Sequence, residues 1–186
     1  AATAGRSVAL ISPQHFVCAN HYRPAGPIVF RNRAGVLESR TIERFYTTTL
    51  SWFGTLYTSD LCIGKLAQPV SKAVTYYPVL SPASLDWFLR RQALVAGFTA
   101  RVGTNVIDSR VIANYSYCTE MEKHPVQDEA HFQTGDSGSP SMLAHGGFLT
   151  LVGTHSGVSL TSSFDVLVPA YVSQLNAHMA PDYAVA

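Results

Sequence analysis

Charge is scarce in this sequence. Thirteen Lys and Arg against twelve Asp and Glu leave a net charge of +1 over 186 residues, and charged side chains make up 13% of the chain, against roughly 25% in a typical soluble protein. With 47% apolar residues, this excludes an intrinsically disordered chain, which combines low hydrophobicity with high net charge. A nucleic-acid partner is not expected. The basic clusters are Arg31/Arg33 and Arg90/Arg91, too short for a stripe that tracks phosphates. Long hydrophobic runs are also lacking: none approaches the roughly 18 residues of a membrane span, so no membrane partner is expected. Residues 1–6 show no basic-then-apolar signal pattern, so any targeting segment is expected to be removed or never present. Cysteine is sparse and odd in number. Cys18, Cys62 and Cys118 fit no zinc or thioredoxin spacing, permit at most one disulfide, and are expected as free buried thiols. Lys and Glu, the usual helix-surface residues, are few, so the composition leans to β.

What is present is Gly, Pro, Ser and Thr, spread evenly through a length that suits one compact domain. Short β-type runs recur at 7–11, 28–30, 41–49, 61–66, 75–80, 94–99, 110–118, 141–143 and 148–154. Turn formers separate them: Pro13, Pro24 to Pro27, residues 32–35, Pro69, Gly103-Thr104-Asn105 and Gly146-Gly147. Regular short strands between Gly/Pro turns predict a sandwich or barrel rather than βαβ units. Two segments differ. Residues 81–91 predict a short helical turn and read as the connection between two halves. Residues 168–179 predict a helix, with Pro169 in its first turn, Tyr171, Val172, Leu175 and Met179 on one face, and Pro181 to stop it. Asn114-Tyr115-Ser116 matches a glycosylation triplet, a pattern too common by chance to carry weight.

The densest chemical signal is Thr134-Gly135-Asp136-Ser137-Gly138-Ser139-Pro140. A nucleophilic serine needs a tight turn that exposes its hydroxyl, with the N–H groups of Gly135 and Ser137 available to a developing oxyanion. An ordinary Gly/Ser turn is the plain alternative. A serine nucleophile also needs a base and an orienting acid. The candidates for the base are His15, His21, His124, His131, His145, His155 and His178. The pairs His15/His21 and His124/His131 match no standard zinc spacing, and no metal is expected. Ser137, Asp165 and His178 stand in the order of an α/β-hydrolase triad. However, Ser139 occupies the place of that elbow's second glycine, and no strand–helix alternation surrounds it.

Leu10-Ile11-Ser12-Pro13-Gln14-His15-Phe16-Val17-Cys18-Ala19-Asn20-His21 resembles the segment around the catalytic histidine of the trypsin/chymotrypsin family, with His21, not His15, on the catalytic position. Ser59-Asp60-Leu61-Cys62-Ile63-Gly64-Lys65-Leu66-Ala67-Gln68-Pro69-Val70 is similar to the family's aspartate segment, with Asp60 as the triad acid. Residues 135–140 resemble its serine motif. Leu151-Val152-Gly153-Thr154-His155-Ser156-Gly157 resembles one wall of its specificity pocket, and Tyr171-Val172-Ser173-Gln174-Leu175 the start of its C-terminal helix.

This resemblance implies an all-β fold of two packed antiparallel six-stranded β-barrels with a short C-terminal helix. Residues 1–85 would carry His21 and Asp60, and residues 92–186 would carry Ser137. It implies a serine endopeptidase acting on a peptide or protein substrate without a cofactor: His21 as base, Asp60 as orienting acid, Ser137 as nucleophile, and Gly135 and Ser137 as oxyanion hole. A catalytically silent barrel pair that binds a peptide or protein is the competing expectation. His131, Thr134, His155, Ser156 and Gly157 fall on substrate-binding positions. His131 at the pocket base argues against cleavage after Lys or Arg. His155 resembles the histidine with which some members bind Glu or Gln, so an acidic-or-amide preference and a small-or-apolar one both stay open. Ser156 matches the serine that bonds the buried aspartate.

There are departures from the family pattern. Tyr22 stands where a cysteine follows the histidine, Asn20 where a small alanine precedes it, and Ser156-Gly157-Val158 where the family has Ser-Trp-Gly. No Ile-Val-Gly-Gly start precedes His21, so pairing of a new N-terminal ammonium with Asp136 is not expected, and Asp136 needs another partner or stays solvated. Length and the missing disulfide are more like bacterial or viral members. That favours a secreted or periplasmic protein over a cytoplasmic one, leaves a viral polyprotein origin open, and says nothing of oligomeric state.

Overall fold

The computed structural model describes residues 2–3, 6–98, 101–124 and 129–185. These residues are mostly β-sheet with a short C-terminal helix. The first half of the chain builds two four-stranded antiparallel sheets. One joins β1 (Ala2–Thr3), β2 (Arg6–Ser7), β5 (Ile28–Arg31) and β6 (Leu37–Arg40) in the order β2-β1-β5-β6. The other joins β3 (Ala9–Leu10), β4 (His15–Ala19), β7 (Ile42–Trp52) and β8 (Thr55–Leu66) in the order β3-β4-β8-β7.

The second half is one curled seven-stranded antiparallel sheet, order β10-β9-β13-β14-β15-β12-β11. Its strands are β9 (Gln92–Ala96), β10 (Val102–Val106), β11 (Ser109–Ala113), β12 (Ser116–Glu122), β13 (Pro140–His145), β14 (Phe148–Val158) and β15 (Ser162–Leu167). A 3-10 turn over Val168–Tyr171, entered through Pro169, leads into α1 (Val172–Met179). No helix among the described residues is long and apolar enough to cross a membrane.

Strand alternation sorts the apolar residues into three cores. Val8, Leu10, Phe16, Cys18, Ile28, Phe30, Cys62 and Leu66 fill the space between the two sheets of the first half. Phe88, Val95, Ile107, Met121, Leu143, Val152 and Leu167 line the inside of the seven-stranded sheet. A third core takes Ile11, Val17, Leu61 and Ile63 from the first half, and Leu151, Val166, Tyr171, Leu175 and Met179 from the second. Successive strand residues point to opposite faces. Thus β8 gives Leu61 and Ile63 to the shared core, and Cys62 and Leu66 to the first half's own. Gly64 has no side chain because the Phe16 ring occupies the space where a Cβ would stand.

Several expected elements are shifted. Residues 75–80 make one isolated parallel bridge, Val79 to Leu151, and form no strand. Of the expected run 94–99, β9 ends at Ala96, and residue 99 lies outside the described residues. The expected single strand 110–118 is a hairpin. Asn114 and Tyr115 both adopt left-handed backbone, φ 49° and 53°, and fold β11 back onto β12. Residues 81–91 hold the 3-10 turn Leu85–Phe88, capped by the Ser84 side chain. All three cysteines are free and buried, with Cys18 directly opposite Cys62 across β4 and β8.

Candidate active site

β4 is buried along its whole length and ends at Ala19, where one 3-10 turn over Asn20–Tyr22 carries His21 out of the sheet. Ala19 pairs with Leu61 of β8, which sets Asp60 beside that turn. The His21 backbone N–H donates to Asp60 Oδ1 at 2.9 Å, and ring Nδ1 lies 2.9 and 2.8 Å from Oδ1 and Oδ2. The carboxylate therefore fixes the histidine at both backbone and ring. Asp60 is 7% exposed and the His21 side chain 48%. On the open side, His21 Nε2 lies 3.0 Å from Ser137 Oγ across 116 residues of sequence. An ionised carboxylate only accepts, so Nδ1 carries the proton and Nε2 keeps a lone pair toward the serine. The Asp60 hydrogen bond raises the His21 pKa above its ordinary value, and burial opposes it only in part.

The Ser137 loop is stitched to β14. Gly138 N–H donates to the His155 carbonyl and His155 N–H to the Ser139 carbonyl, each at 2.9 Å. Gly138 has φ +82°, and a Cβ there would fall 2.6 Å from the Ser7 carbonyl oxygen and 3.2 Å from Ala19 N. This close approach brings the serine loop against the end of the histidine strand, and only glycine permits it. Gly135, at φ +98°, faces open space. Among the described residues, neither the Gly135 nor the Ser137 N–H donates to a protein acceptor. Asp136 points inward and is 3% exposed. Its carboxylate accepts from Phe98 N–H at 2.9 Å, from Gln133 N–H at 2.8 Å, and from Arg101 Nη2 at 3.0 and 2.9 Å. Asp136 thus has a cationic partner within the chain, and Arg101 is a residue that sequence reasoning missed. No motif marks it, because it stands 35 positions away in sequence, just before β10.

Behind the Asp60–His21–Ser137 series lies a polar network from the second half. Ser156 Oγ donates to Asp60 Oδ2 at 2.5 Å, and Asn114 Nδ2 donates to Ser156 Oγ at 3.1 Å. Asp60 N–H donates to Ser116 Oγ at 2.7 Å, and Ser116 Oγ to the Asn114 carbonyl at 3.0 Å. Ser59 Oγ lies 2.9 Å from Ser116 Oγ and from the Tyr171 hydroxyl. Asn20, His21, Thr58, Ser59, Asp60, Asn114, Tyr115 and Ser156 line an open cleft of about 460 Å³. Around His21, no disulfide is needed to tie the turn. Asn20 Oδ1 accepts from Arg23 Nε at 2.9 Å, and the Arg6 guanidinium sits 4.7 Å over the Tyr22 ring.

The expected pocket residues separate. Ser156 bonds Asp60, Gly157 follows it near the end of β14, and Thr134 is exposed on the serine loop. His131 lines another cavity, of about 490 Å³, with Arg101, Lys123, Glu129, Gln133 and Asp136 among its walls. His155 is 1% exposed, with the Phe132 ring stacked on it at 3.5 Å. Its Nε2 lies 3.2 Å from Ser141 Oγ and 3.7 Å from Asp165 Oδ1. Burial pushes the His155 pKa down to about 3 and that of Asp165 up to about 8. Of the remaining histidines, His15 is buried, with Nδ1 on Ser12 Oγ at 3.0 Å, and His124 pairs with Glu129. No family model matches this chain, and no curated protein matches it.

Proposed function

We propose that this chain is a trypsin/chymotrypsin-like serine endopeptidase, with the two four-stranded sheets and the seven-stranded sheet as its two barrels. The observation that carries the reading is the continuous chain Asp60–His21–Ser137. Its contacts of 2.8 and 3.0 Å lie on the two ring nitrogens of one half-exposed histidine. A nucleophile, a base and an orienter in hydrogen-bonding series are what acyl transfer requires.

The roles follow from the geometry. Ser137 Oγ attacks the scissile carbonyl carbon while its proton passes to His21 Nε2. Asp60, bonded at Nδ1, stabilises the imidazolium. The carbonyl π electrons move onto oxygen, and the Gly135 and Ser137 N–H groups donate to that oxyanion. Collapse of the tetrahedral intermediate breaks the C–N bond, and the amine leaves with the proton from His21. Water then repeats the sequence on the acyl-enzyme, releasing the acid and restoring Ser137. The Arg101–Asp136 pair supports the reading, since it holds the residue between the two proposed oxyanion donors.

The test is labelling with a fluorophosphonate, which phosphonylates activated serines with loss of fluoride, followed by peptide mapping. Modification of Ser137 in the native chain, lost in Ser137→Ala and in His21→Ala, is expected. Folded protein that resists labelling would overturn the reading and favour a silent peptide-binding module.

A further inference from the structure

We propose that the β11–β12 turn is a positioning device for the triad acid, with the Asn114 amide and the Ser116 hydroxyl holding Asp60 in line with His21. The inference rests on the triad reading above. Both Asp60 oxygens are already in use. Oδ1 takes the His21 backbone and ring, and Oδ2 takes the ring and Ser156 Oγ. Ser156 has a single proton and gives it to Asp60. An Asn114 N–H at 3.1 Å on the same hydroxyl occupies a lone pair. This stops the hydroxyl from rotating and strengthens its bond to the carboxylate. From the same turn, Ser116 Oγ accepts the Asp60 backbone N–H at 2.7 Å and is itself anchored on the Asn114 carbonyl. Asn114 in the turn and Ser116 just after it therefore hold the acid twice, through Ser156 at its carboxylate and directly at its main chain.

A further observation points the same way. Asn114 and Tyr115 hold left-handed backbone without glycine at either position. Such conformations persist where the surroundings over-determine them, and they collect at functional sites. The Asn114 side chain thus has a role that its place in a glycosylation triplet does not suggest.

The test uses Asn114→Gly, which keeps the left-handed turn and removes the amide, and Asn114→Asp, which keeps the size but presents an acceptor to Ser156. Four quantities are compared with the native chain: kcat, KM, the rate of fluorophosphonate labelling, and the low-field proton resonance of the His21–Asp60 hydrogen bond. Misplacement of a catalytic group by about 1 Å can cost roughly 100-fold. Falls of about tenfold or more in kcat and labelling rate, with KM within about twofold, are therefore expected for both variants. The His21 resonance should broaden or vanish with them. Native kcat with an intact resonance in either folded variant would overturn the proposal, as would a rise in KM alone, which would assign the turn to substrate binding. Should Asn114→Gly not fold, Asn114→Asp and Ser116→Ala carry the same expectations. If the native chain does not label at all, the protease reading fails. The resonance still decides whether Asn114 positions Asp60.

Discussion

Replacing Arg101 with methionine keeps the aliphatic stem and deletes the cation that faces Asp136. The carboxylate is 3% exposed and would retain its two backbone donors, Phe98 and Gln133 N–H. Removing one partner of a fully buried ion pair costs about 3–5 kcal/mol, whereas an exposed pair contributes about 0–1 kcal/mol. The Arg101 side chain is 42% exposed, so solvent screens it, and the retained donors lessen the loss. The cost lies between these limits, at about 2 kcal/mol. For a chain of this size that is a fall in melting temperature of roughly 4–8 °C. Asp136 also separates the two N–H groups proposed as oxyanion donors, and losing one such donor costs about 10²–10³ in kcat. Labelling of Ser137 by a fluorophosphonate, measured beside the melting curve in folded Arg101→Met, is therefore expected to slow by about 10²-fold. Arg101→Lys should recover part of both, since an ammonium restores the charge but not the planar fork. A melting temperature within about 1 °C of native, with an unchanged labelling rate, would refute this account of the loop.

Asp60→Asn should lower kcat by roughly 10⁴, because an amide holds the wrong imidazole tautomer. In the native chain, kcat/KM should rise with pH through an apparent pKa above the ordinary histidine value of about 6.5, since the Asp60 bond favours the charged ring and the base must be neutral. A limb below that value would contradict the geometry. The His155–Asp165 pair keeps one proton between about 3 and about 8, whichever atom holds it, whereas an unfolded chain loses both protons by about pH 6.5. The folded form thus binds the extra proton between about pH 6.5 and 8, and stability should fall across that window by up to about 2 kcal/mol. A double variant, His155→Gln with Asp165→Asn, should lose most of that slope in urea titrations, and a midpoint that climbs from pH 6.5 to 8 would sink the assignment. In a mixed peptide library, cleavage is expected after uncharged residues, because His155 is covered by Phe132 and neutral at pH 7. Dominant cleavage after Glu that His155→Gln abolishes would reverse this.

The sequence revealed the site where chemistry is written in short strings. Each segment holding His21, Asp60 or Ser137 is local, and the three meet in the structure at hydrogen-bonding distance. Helix 172–179 was legible because its apolar residues share a face and Pro169 and Pro181 bracket it. What escaped depends on distant partners. Arg101 is an ordinary surface-type residue until the fold brings Asp136 to it. The hairpin at 114–115 was hidden because tyrosine is an unusual left-handed residue, which left Asn114 as the one turn former between two runs of β-formers. β6 alternates against its chemistry, with apolar Leu37 exposed and charged Glu38 and Arg40 half-buried, so the sequence shows no apolar face to read. The burial of His155 and Asp165 was equally invisible, since polar residues in a core are paired by tertiary packing and not by spacing.

One strand, β8, contributes side chains to two cores, Leu61 and Ile63 to the shared one and Cys62 and Leu66 to that of the first half. Loosening the contact between the halves therefore uncovers one face of the strand that carries Asp60, while the other face stays packed. Such an opening has no cheap intermediate. Exposing Leu61 and Ile63 together forfeits about 1.5–3 kcal/mol for each side chain and leaves β8 supported on one side only. The halves are therefore bound to melt as a single cooperative unit, and a lone first half would present to solvent the apolar face that the second half normally covers.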